Sequence, residues 1–211
     1  MPGVTDNQTQ PIVLIGAGGH AKVVADAILA SAGTVAGFYD DTPDPSAAVV
    51  IPGATHLGPL VSAPAETRPL IIALGALDLR RTSIDACAKC TFASAIHPKA
   101  IVSPHAAVPP GTLIAARAVI NPGARIGPHA IINTGAIVEH DCTIGENTHI
   151  GPGAILSGGV TVGSDTLLGS GAIVLPGVKI GSCCIVGAGA VVTNNLPDGS
   201  RAVGVPARVV T

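Results

Sequence analysis

The chain has 211 residues, a formal net charge of −2 and only 11% charged side chains, against about 25% in typical soluble domains. Such a chain has no electrostatic footprint for nucleic acid, and its three aromatics, Phe38, Tyr39 and Phe92, are too few for a base-stacking platform. Gly and Pro interrupt every apolar run well short of the ~20 residues of a membrane span, and so sparse a charge supply suggests a surface covered in part by other subunits.

Residues 1–10, MPGVTDNQTQ, have neither the cationic nor the apolar region of a signal peptide. They read as a disordered lead-in, and the chain as soluble and cytoplasmic. Residues 11–94 follow as an α/β segment. PIVLI is a buried-strand run, and GAGGHAKVVADAILA turns directly into a helical pattern. Gly16, Gly18 and Ala21 fit G-x-G-x-x-A, the turn that lets a backbone approach phosphates at a helix N-terminus. TVAGFYDD is a second strand ending in Asp40 and Asp41, RPLIIALG a third, and LDLRRTSIDACAKC a second helix. The glycine turn and the acid are features of dinucleotide sites. This segment, however, is only half such a unit, so a Rossmann-like βαβ domain holding one nucleoside diphosphate is the expectation. Cys87 and Cys90 form a C-x-x-C with no second pair to complete a zinc site, and they read as half-buried thiols.

From Ala95 to Leu196 the chain divides into seventeen hexads without a gap. The second position is Ile, Val or Leu in every one, and the sixth is Ala, Thr, Cys or Val in all but the last. Gly at position three and Pro at position four each recur seven times. No helix produces a strict period of six with β-branched residues and Gly-Pro turns, so the segment reads as a parallel β-solenoid. Three hexads close one triangular coil of eighteen residues, with position two inside and the Gly and Pro positions turning the corners. The coils stack to roughly 27 Å at the ~4.8 Å strand spacing. Residues 197–211 form a C-terminal tail.

One stretch of the solenoid carries three adjacent ionisable side chains, Glu139, His140 and Asp141. His140 is at position four, on a corner and exposed, where folding does not require it. Eighteen residues on, one coil above, the same corner holds Gly158, whose bare amide can face a small ligand. An imidazole titrating near neutrality suits removal of a proton from an amine or hydroxyl that attacks an acyl group. A carboxylate beside it, Asp141 or Glu139, can fix its tautomer, and the Gly158 N–H can serve a developing oxyanion.

The hexads resemble those of the hexapeptide-repeat acyltransferases, which implies a left-handed β-helix and a homotrimer with active sites between subunits. The combination of GAGGH, then Asp-Asp after the second strand, then a prism containing EHDC and a terminal GVPAR is similar to the NeuD/PglD-type sugar acetyltransferases over Pro11 to Val209. That resemblance implies acetyl-CoA as co-substrate, no metal, and acetylation of the 4-amino group of a nucleotide-linked (UDP or GDP) 4-amino-4,6-dideoxy sugar. It implies nucleotide-sugar contacts at Gly16, Gly18, Gly19, His20, Asp40, Asp41 and Gly75, and catalysis by His140 with Asp141 as its carboxylate. It further implies Asn133 near the acceptor and His149 on the thioester or pantetheine. Backbone around Gly158, Ser170, Gly187 and Ala188 would meet the pantetheine arm. One departure is that Gly75 is followed by Ala76, Leu77 and Asp78, where many relatives have Asn close behind the glycine.

Three other readings are set against this one. A γ-type carbonic anhydrase shares the prism but uses a His pair five apart, whereas His129, His140 and His149 are spaced eleven and nine. A non-catalytic nucleotide-binding scaffold leaves the His140, Asp141 and Gly158 grouping unexplained. O-acetylation of a sugar such as sialic acid, or of serine, stays within the transferases, and the N-terminal glycine turn argues most strongly against serine.

Overall fold

The computed structural model describes residues 10–42 and 54–210, so the lead-in expected over 1–10 lies almost wholly outside the described residues. Two compact units divide between His97 and Pro98.

The first unit is a four-stranded parallel sheet. β1 (Ile12–Ile15), β2 (Val35–Tyr39), β3 (Thr55–Gly58) and β4 (Leu70–Ile72) lie in the order β3-β2-β1-β4. Every residue of β1 is buried, as its unbroken aliphatic run requires of a central parallel strand. Helix α1 (Gly19–Ala30) buries Ala21, Val24, Ala25, Ala27 and Ile28, the apolar face of its 3.6-residue period. Val13 and Ile15 join Tyr39, Ala63, Leu70, Ile72, Ile84 and Cys87 in one apolar cluster. Helix α2 (Leu77–Ala86) ends sooner than its sequence pattern suggests. Cys87 is its C-cap, and the Cys90 amide donates to the Cys87 carbonyl in the following turn. β3 and a short 3-10 helix over Leu60–Ala65 have no periodic signal in the sequence. THLG is too short and too mixed in polarity to announce a strand.

The second unit is a left-handed parallel β-helix. A first sheet contains Leu113–Ile114, Ile131–Ile132, His149–Ile150, Leu167–Leu168 and Ile185–Val186. A second contains Ile101–Val102, Val119–Ile120, Ile137–Val138, Ile155–Leu156, Ile173–Val174 and Val191–Val192. A third contains Arg125–Ile126, Thr143–Ile144, Thr161–Val162 and Lys179–Ile180. Each pairing joins residues eighteen apart, such as Ile137 with Ile155. From Ile114 to Val192 every second-position aliphatic is at most 5% exposed, and the sixth-position residues from Thr112 to Ala190 are buried with them.

The corners turn differently from the sequence expectation. The left-handed residue is position five: Gly111, Arg117, Gly123 and every sixth residue through Gly189 have φ between 53° and 82°. Position four needs no special dihedral. Among the described residues its amide donates to no backbone carbonyl, which is why Pro, lacking an N–H, fits there.

The repeat also ends before Leu196. Leu196 pairs with Ile180, sixteen residues back, so the last coil is two residues short and Leu196 is buried near the axis. Its failure to match position six follows from that slip. Residues 197–210 are more than a tail: Arg201–Val203 adds to the first sheet beside Ile185–Val186, and Arg208–Val209 returns antiparallel to it.

Candidate active site

Two groups of candidate side chains, one in each unit, are described in turn. In the first unit the glycine turn leaves the C-terminal end of β1, where the strand order reverses between β1 and β4, the usual ligand crevice of such sheets. Gly16 has φ +103°, and a Cβ there would sit 2.6 Å from Leu74 Cδ2, so the fold itself demands glycine. Gly18, the N-cap of α1, has φ −80°, and a Cβ on Gly18 or Gly19 would meet nothing within 4 Å. The fold does not require these two glycines. What they keep bare is the approach to the α1 N-terminus, the positive end of the helix dipole. Gly75 lies across the turn, with His20 Cβ 3.8 Å from the place its own Cβ would take.

The two aspartates divide into different roles. Both carboxylate oxygens of Asp40 accept backbone amides, Oδ2 from Ala17 at 2.7 Å and Oδ1 from Thr42 at 2.8 Å. Asp40 therefore braces the glycine turn. Asp41 accepts from the Leu60 amide at 2.9 Å through Oδ1, and it lines a cleft of about 370 Å³. The end of β2 is tied down by Glu66. Its carboxylate accepts from Tyr39 Oη at 3.2 Å and from Arg68 Nε and Nη2 at 2.9 and 2.6 Å. Chiefly the Arg68 hydrogen bonds hold the Glu66 carboxyl down at about 2.

In the second unit, His140 stands on the corner that follows the second sheet. Its Nδ1 is 2.9 Å from Asp141 Oδ2, and the two side chains are 63% and 72% exposed. Asp141 is a position-five residue with φ +60°, a conformation Asp adopts more readily than most. The same backbone requirement that admits Asp141 swings its carboxylate back to the imidazole. Asp141 is thus the hydrogen-bonding partner of His140. The hydrogen bond His140 donates to Asp141, and secondarily the charges of Asp141 and Glu139, raise the His140 pKa above its ordinary value.

Glycines above and below make room for this pair. A Cβ on Gly158 would lie 2.5 Å from His140 Nε2, and one on Gly123 would lie 2.5 Å from Asp141 Oδ1. With Nδ1–H donated to the carboxylate, Nε2 is the acceptor nitrogen, and it faces the bare Gly158 backbone. The Gly158 amide is at position four and so takes no part in the ladder. Sequence reasoning missed Gly123, although its eighteen-residue offset from Asp141 was available to find it.

The remaining expected residues do not join this corner. Asn133 and His149 meet each other, Nδ2 to Nε2 at 3.0 Å, at the edge of the first sheet. Ser170, Gly187 and Ala188 follow the same sheet, one and two coils farther up. Within one chain the second sheet therefore separates the His140 column from the Asn133, His149, Ser170 and Ala188 column. His129 is on the remaining corner, after the third sheet, where Asn147 Nδ2 also donates to Asp165 Oδ1 at 2.8 Å. Among the described residues no group of three His, Cys, Asp or Glu side chains is arranged to hold a metal ion, and no helix is long and apolar enough to cross a membrane.

Residues 11–86 match the PglD N-terminal domain, and residues 123–158 and 159–194 each match the bacterial transferase hexapeptide family (six repeats). A mutant of perosamine N-acetyltransferase from Caulobacter crescentus, solved with CoA and GDP-perosamine, is 40% identical over 96% of this chain and 98% of its own, with a TM-score of 0.87. The chain belongs to the NeuD/PglD-type hexapeptide acyltransferases. The acetyltransferase domain of PglB from Neisseria gonorrhoeae FA1090, in complex with acetyl coenzyme A, is 33% identical over 95% of this chain and 99% of its own (TM-score 0.86). WeeI from Acinetobacter baumannii AYE, at 26% identity, covers 96% of this chain and 100% of its own, with a TM-score of 0.83. No curated protein sequence matches the chain. Membership makes the chain an acyltransferase, and the His140 corner is then its candidate reaction centre.

Proposed function

We propose that the chain transfers the acetyl group of acetyl-CoA to the 4-amino group of a nucleoside-diphosphate-linked 4-amino-4,6-dideoxy sugar, with His140 as general base. The observation that carries this reading is the His140–Asp141 pair with Nε2 turned to the bare Gly158 backbone. An acceptor ammonium gives one proton to solvent and, as its nitrogen attacks the thioester carbonyl, a second to His140 Nε2. Asp141 holds the ring in the tautomer that can accept it and stabilises the imidazolium that forms. The carbonyl oxygen gains negative charge that the Gly158 N–H can meet. Collapse of the tetrahedral species expels the CoA thiolate, which takes the proton from His140 and leaves the amide. The amino-sugar acceptor is supported by the relative solved with GDP-perosamine and CoA, and a diphosphate link is supported by the glycine turn ahead of a helix N-terminus, a type of turn that suits phosphates.

The working form in this reading is a homotrimer in the cytoplasm, where five free cysteines suit a reducing compartment. The outward first positions of the second sheet are Ile101, Val119, Ile137, Ile155, Ile173 and Val191, an aliphatic ladder. Those of the third sheet include Arg125, Thr143, Thr161 and Lys179. The ladder is flanked on one edge by the His140 column and on the other by the His149 column. Neighbouring copies seated on ladder faces would bring one copy's base beside another's pantetheine-binding column.

The test is acetyl transfer followed by CoA thiol release, with GDP- and UDP-linked 4-amino-4,6-dideoxy sugars as acceptors. Substitution His140→Ala should lower the rate about 10²–10⁴-fold while nucleotide binding stays intact. Transfer to a sugar hydroxyl, or an undiminished rate in the variant, refutes the assignment.

A further inference from the structure

Cys142 follows Asp141 in the chain but points the other way, into the prism, where it is fully buried. Its Sγ–H donates to the Ser157 carbonyl oxygen at 3.2 Å. Among the described residues no backbone amide donates to that oxygen, so the thiol is its partner. Burial pushes the Cys142 thiol up, and the sulfur therefore keeps the proton it donates. The Ser157 carbonyl belongs to the same peptide group as the Gly158 N–H. That peptide is trans, and in a planar trans peptide the C=O and the N–H point in opposite directions. A carbonyl held toward the interior leaves the Gly158 N–H directed outward, at the corner where His140 Nε2 faces the same glycine.

The same arrangement recurs in the solenoid, and at one corner the outward amide holds a negatively charged oxygen. Thr148 Oγ1 donates to the Gly163 carbonyl and Thr166 Oγ1 to the Gly181 carbonyl, at 2.8 and 2.9 Å. As with Cys142 and Ser157, each donor is at position six of its hexad and each acceptor at position three, fifteen residues on. On the far side of the Gly181–Ser182 peptide, the Ser182 N–H donates to Asp198 Oδ1 at 2.8 Å. Within this chain, then, a peptide braced from inside presents its position-four amide to an anionic oxygen. At the Gly158 corner the equivalent amide stands beside His140. We infer that Cys142 is a positioning residue for acetyl transfer: its hydrogen bond to the Ser157 carbonyl aims the Gly158 N–H at the oxyanion that forms on the thioester carbonyl. The inference rests on the acetyltransferase reading above and adds to it a buried residue that no substrate reaches.

Thr and Val have nearly the same shape and differ by one donor, so they separate the hydrogen bond from the packing. Thr already serves at position six as Thr148 and Thr166, and Val fills the slots one and two coils above Cys142 as Val160 and Val178. Cys142→Val should melt as the wild type does yet lower kcat about tenfold, less than the ~10²–10³-fold cost of deleting an oxyanion donor, because the amide is retained. KM and the acid limb of the pH–rate profile, which reports His140, should stay in place. Cys142→Thr, which restores a donor, should keep kcat within about threefold of wild type. Turnover is read by CoA thiol release, with acetyl-CoA and the GDP- or UDP-linked amino sugar that the wild-type chain acetylates. Should Val prove too tight beside Val160, Cys142→Ala makes the same comparison with Thr, since Ala124 holds the slot one coil below. Wild-type kcat in the variants that lack the donor overturns the inference, as does an equal loss in Cys142→Val and Cys142→Thr, which marks a packing role. Either outcome leaves the acetyltransferase reading standing if His140→Ala is inactive in the same assay. Full activity in His140→Ala removes both.

Discussion

Replacing Gly158 by Ala adds one methyl group at a place where it separates catalysis from stability. The new Cβ would lie 2.5 Å from His140 Nε2, 2.7 Å from Cε1 and 3.2 Å from Cδ2, whereas carbon atoms in contact settle at about 3.5–4.0 Å. The imidazole must then withdraw by about 1 Å or more. It can do so freely, because its side chain is 63% exposed and nothing packs it into a core. The backbone accepts Ala at this corner slot, since Ala116 and Ala188 occupy the same hexad position elsewhere and Gly158 is not among the positive-φ residues. The Gly158 N–H is also retained, so an oxyanion donor would remain. Misplacing a catalytic group by about 1 Å costs roughly 10²-fold, equivalent to about 2.7 kcal/mol of barrier. The expected result is therefore a fall of about 10²-fold in kcat/KM, with a melting temperature within about 2 °C of wild type, as for a neutral surface substitution. Thiol release at subsaturating acceptor, alongside a thermal melt, reads both. A variant that melts normally and turns over at the wild-type rate would falsify the placement of Nε2 at the reaction centre.

Asp141→Asn removes the hydrogen-bonding carboxylate that chiefly raises the His140 pKa. Since the base must be neutral, the acid limb of the pH–rate profile should move to lower pH even as the plateau rate falls, and an unmoved limb counts against the pairing. The glycines of the turn should split: Gly16→Ala lowers the melting temperature because of its φ of +103° and the contact with Leu74. Gly18→Ala and Gly19→Ala should melt nearly normally yet bind nucleoside diphosphate more weakly by titration, and tight binding in both variants argues against phosphate at this turn. Glu66→Gln should destabilise the first unit by about 1 kcal/mol, a value reduced for the partly exposed Arg68. The depressed carboxyl contributes stability above its unfolded value near 4.5, and that stability is lost as pH falls through about 2. The gap in melting temperature between variant and wild type should accordingly close on acidification below pH 4, and a constant gap excludes the ionised Glu66 as its source.

The solenoid was legible because its core residues answer to one steric rule repeated every six positions. Ile132, Val138 and Ile144 fill equivalent slots, so any one hexad informs the others. The turn was misread for the same reason. Gly and Pro at positions three and four are frequent because they are tolerated, Pro where the amide is idle and Gly where backbones of adjacent coils approach, as between Gly145 and Ser164. The obligatory left-handed residue at position five is masked by variety: Arg117, His129, Asp141, Asn147, Asp165 and Cys183 all adopt it. In the first unit, β1, α1, β2 and β4 each show their own period, whereas β3 and the 3-10 helix are held by neighbours. The roles of Asp40 and Asp41 are indistinguishable in sequence, since only the fold decides which carboxylate meets the Ala17 amide.

The separation of His140 from His149 has a further consequence. Nine residues along the chain suggest proximity, yet in a triangular coil they cross from the corner after the second sheet to a strand of the first. Sequence distance in a solenoid measures progress around the coil, and spatial neighbours are found at multiples of eighteen. Read that way, His140 has Pro122 and Gly158 for neighbours, Asp141 has Gly123, and His149 has Ile131 and Leu167. The chain thus has the His140–Asp141 pair on one edge of the second sheet and the Asn133–His149 pair on the other. The aliphatic ladder between them is the feature that relates the two. A substitution such as Ile155→Glu, at the middle of that ladder, should leave the coil intact, because Ile155 points outward while Leu156 fills the core. It should nevertheless reduce acetyl transfer along with the sedimentation coefficient. If Ile155→Glu sediments as a monomer and keeps full activity, each copy holds a complete site, and the two columns do not act together across copies.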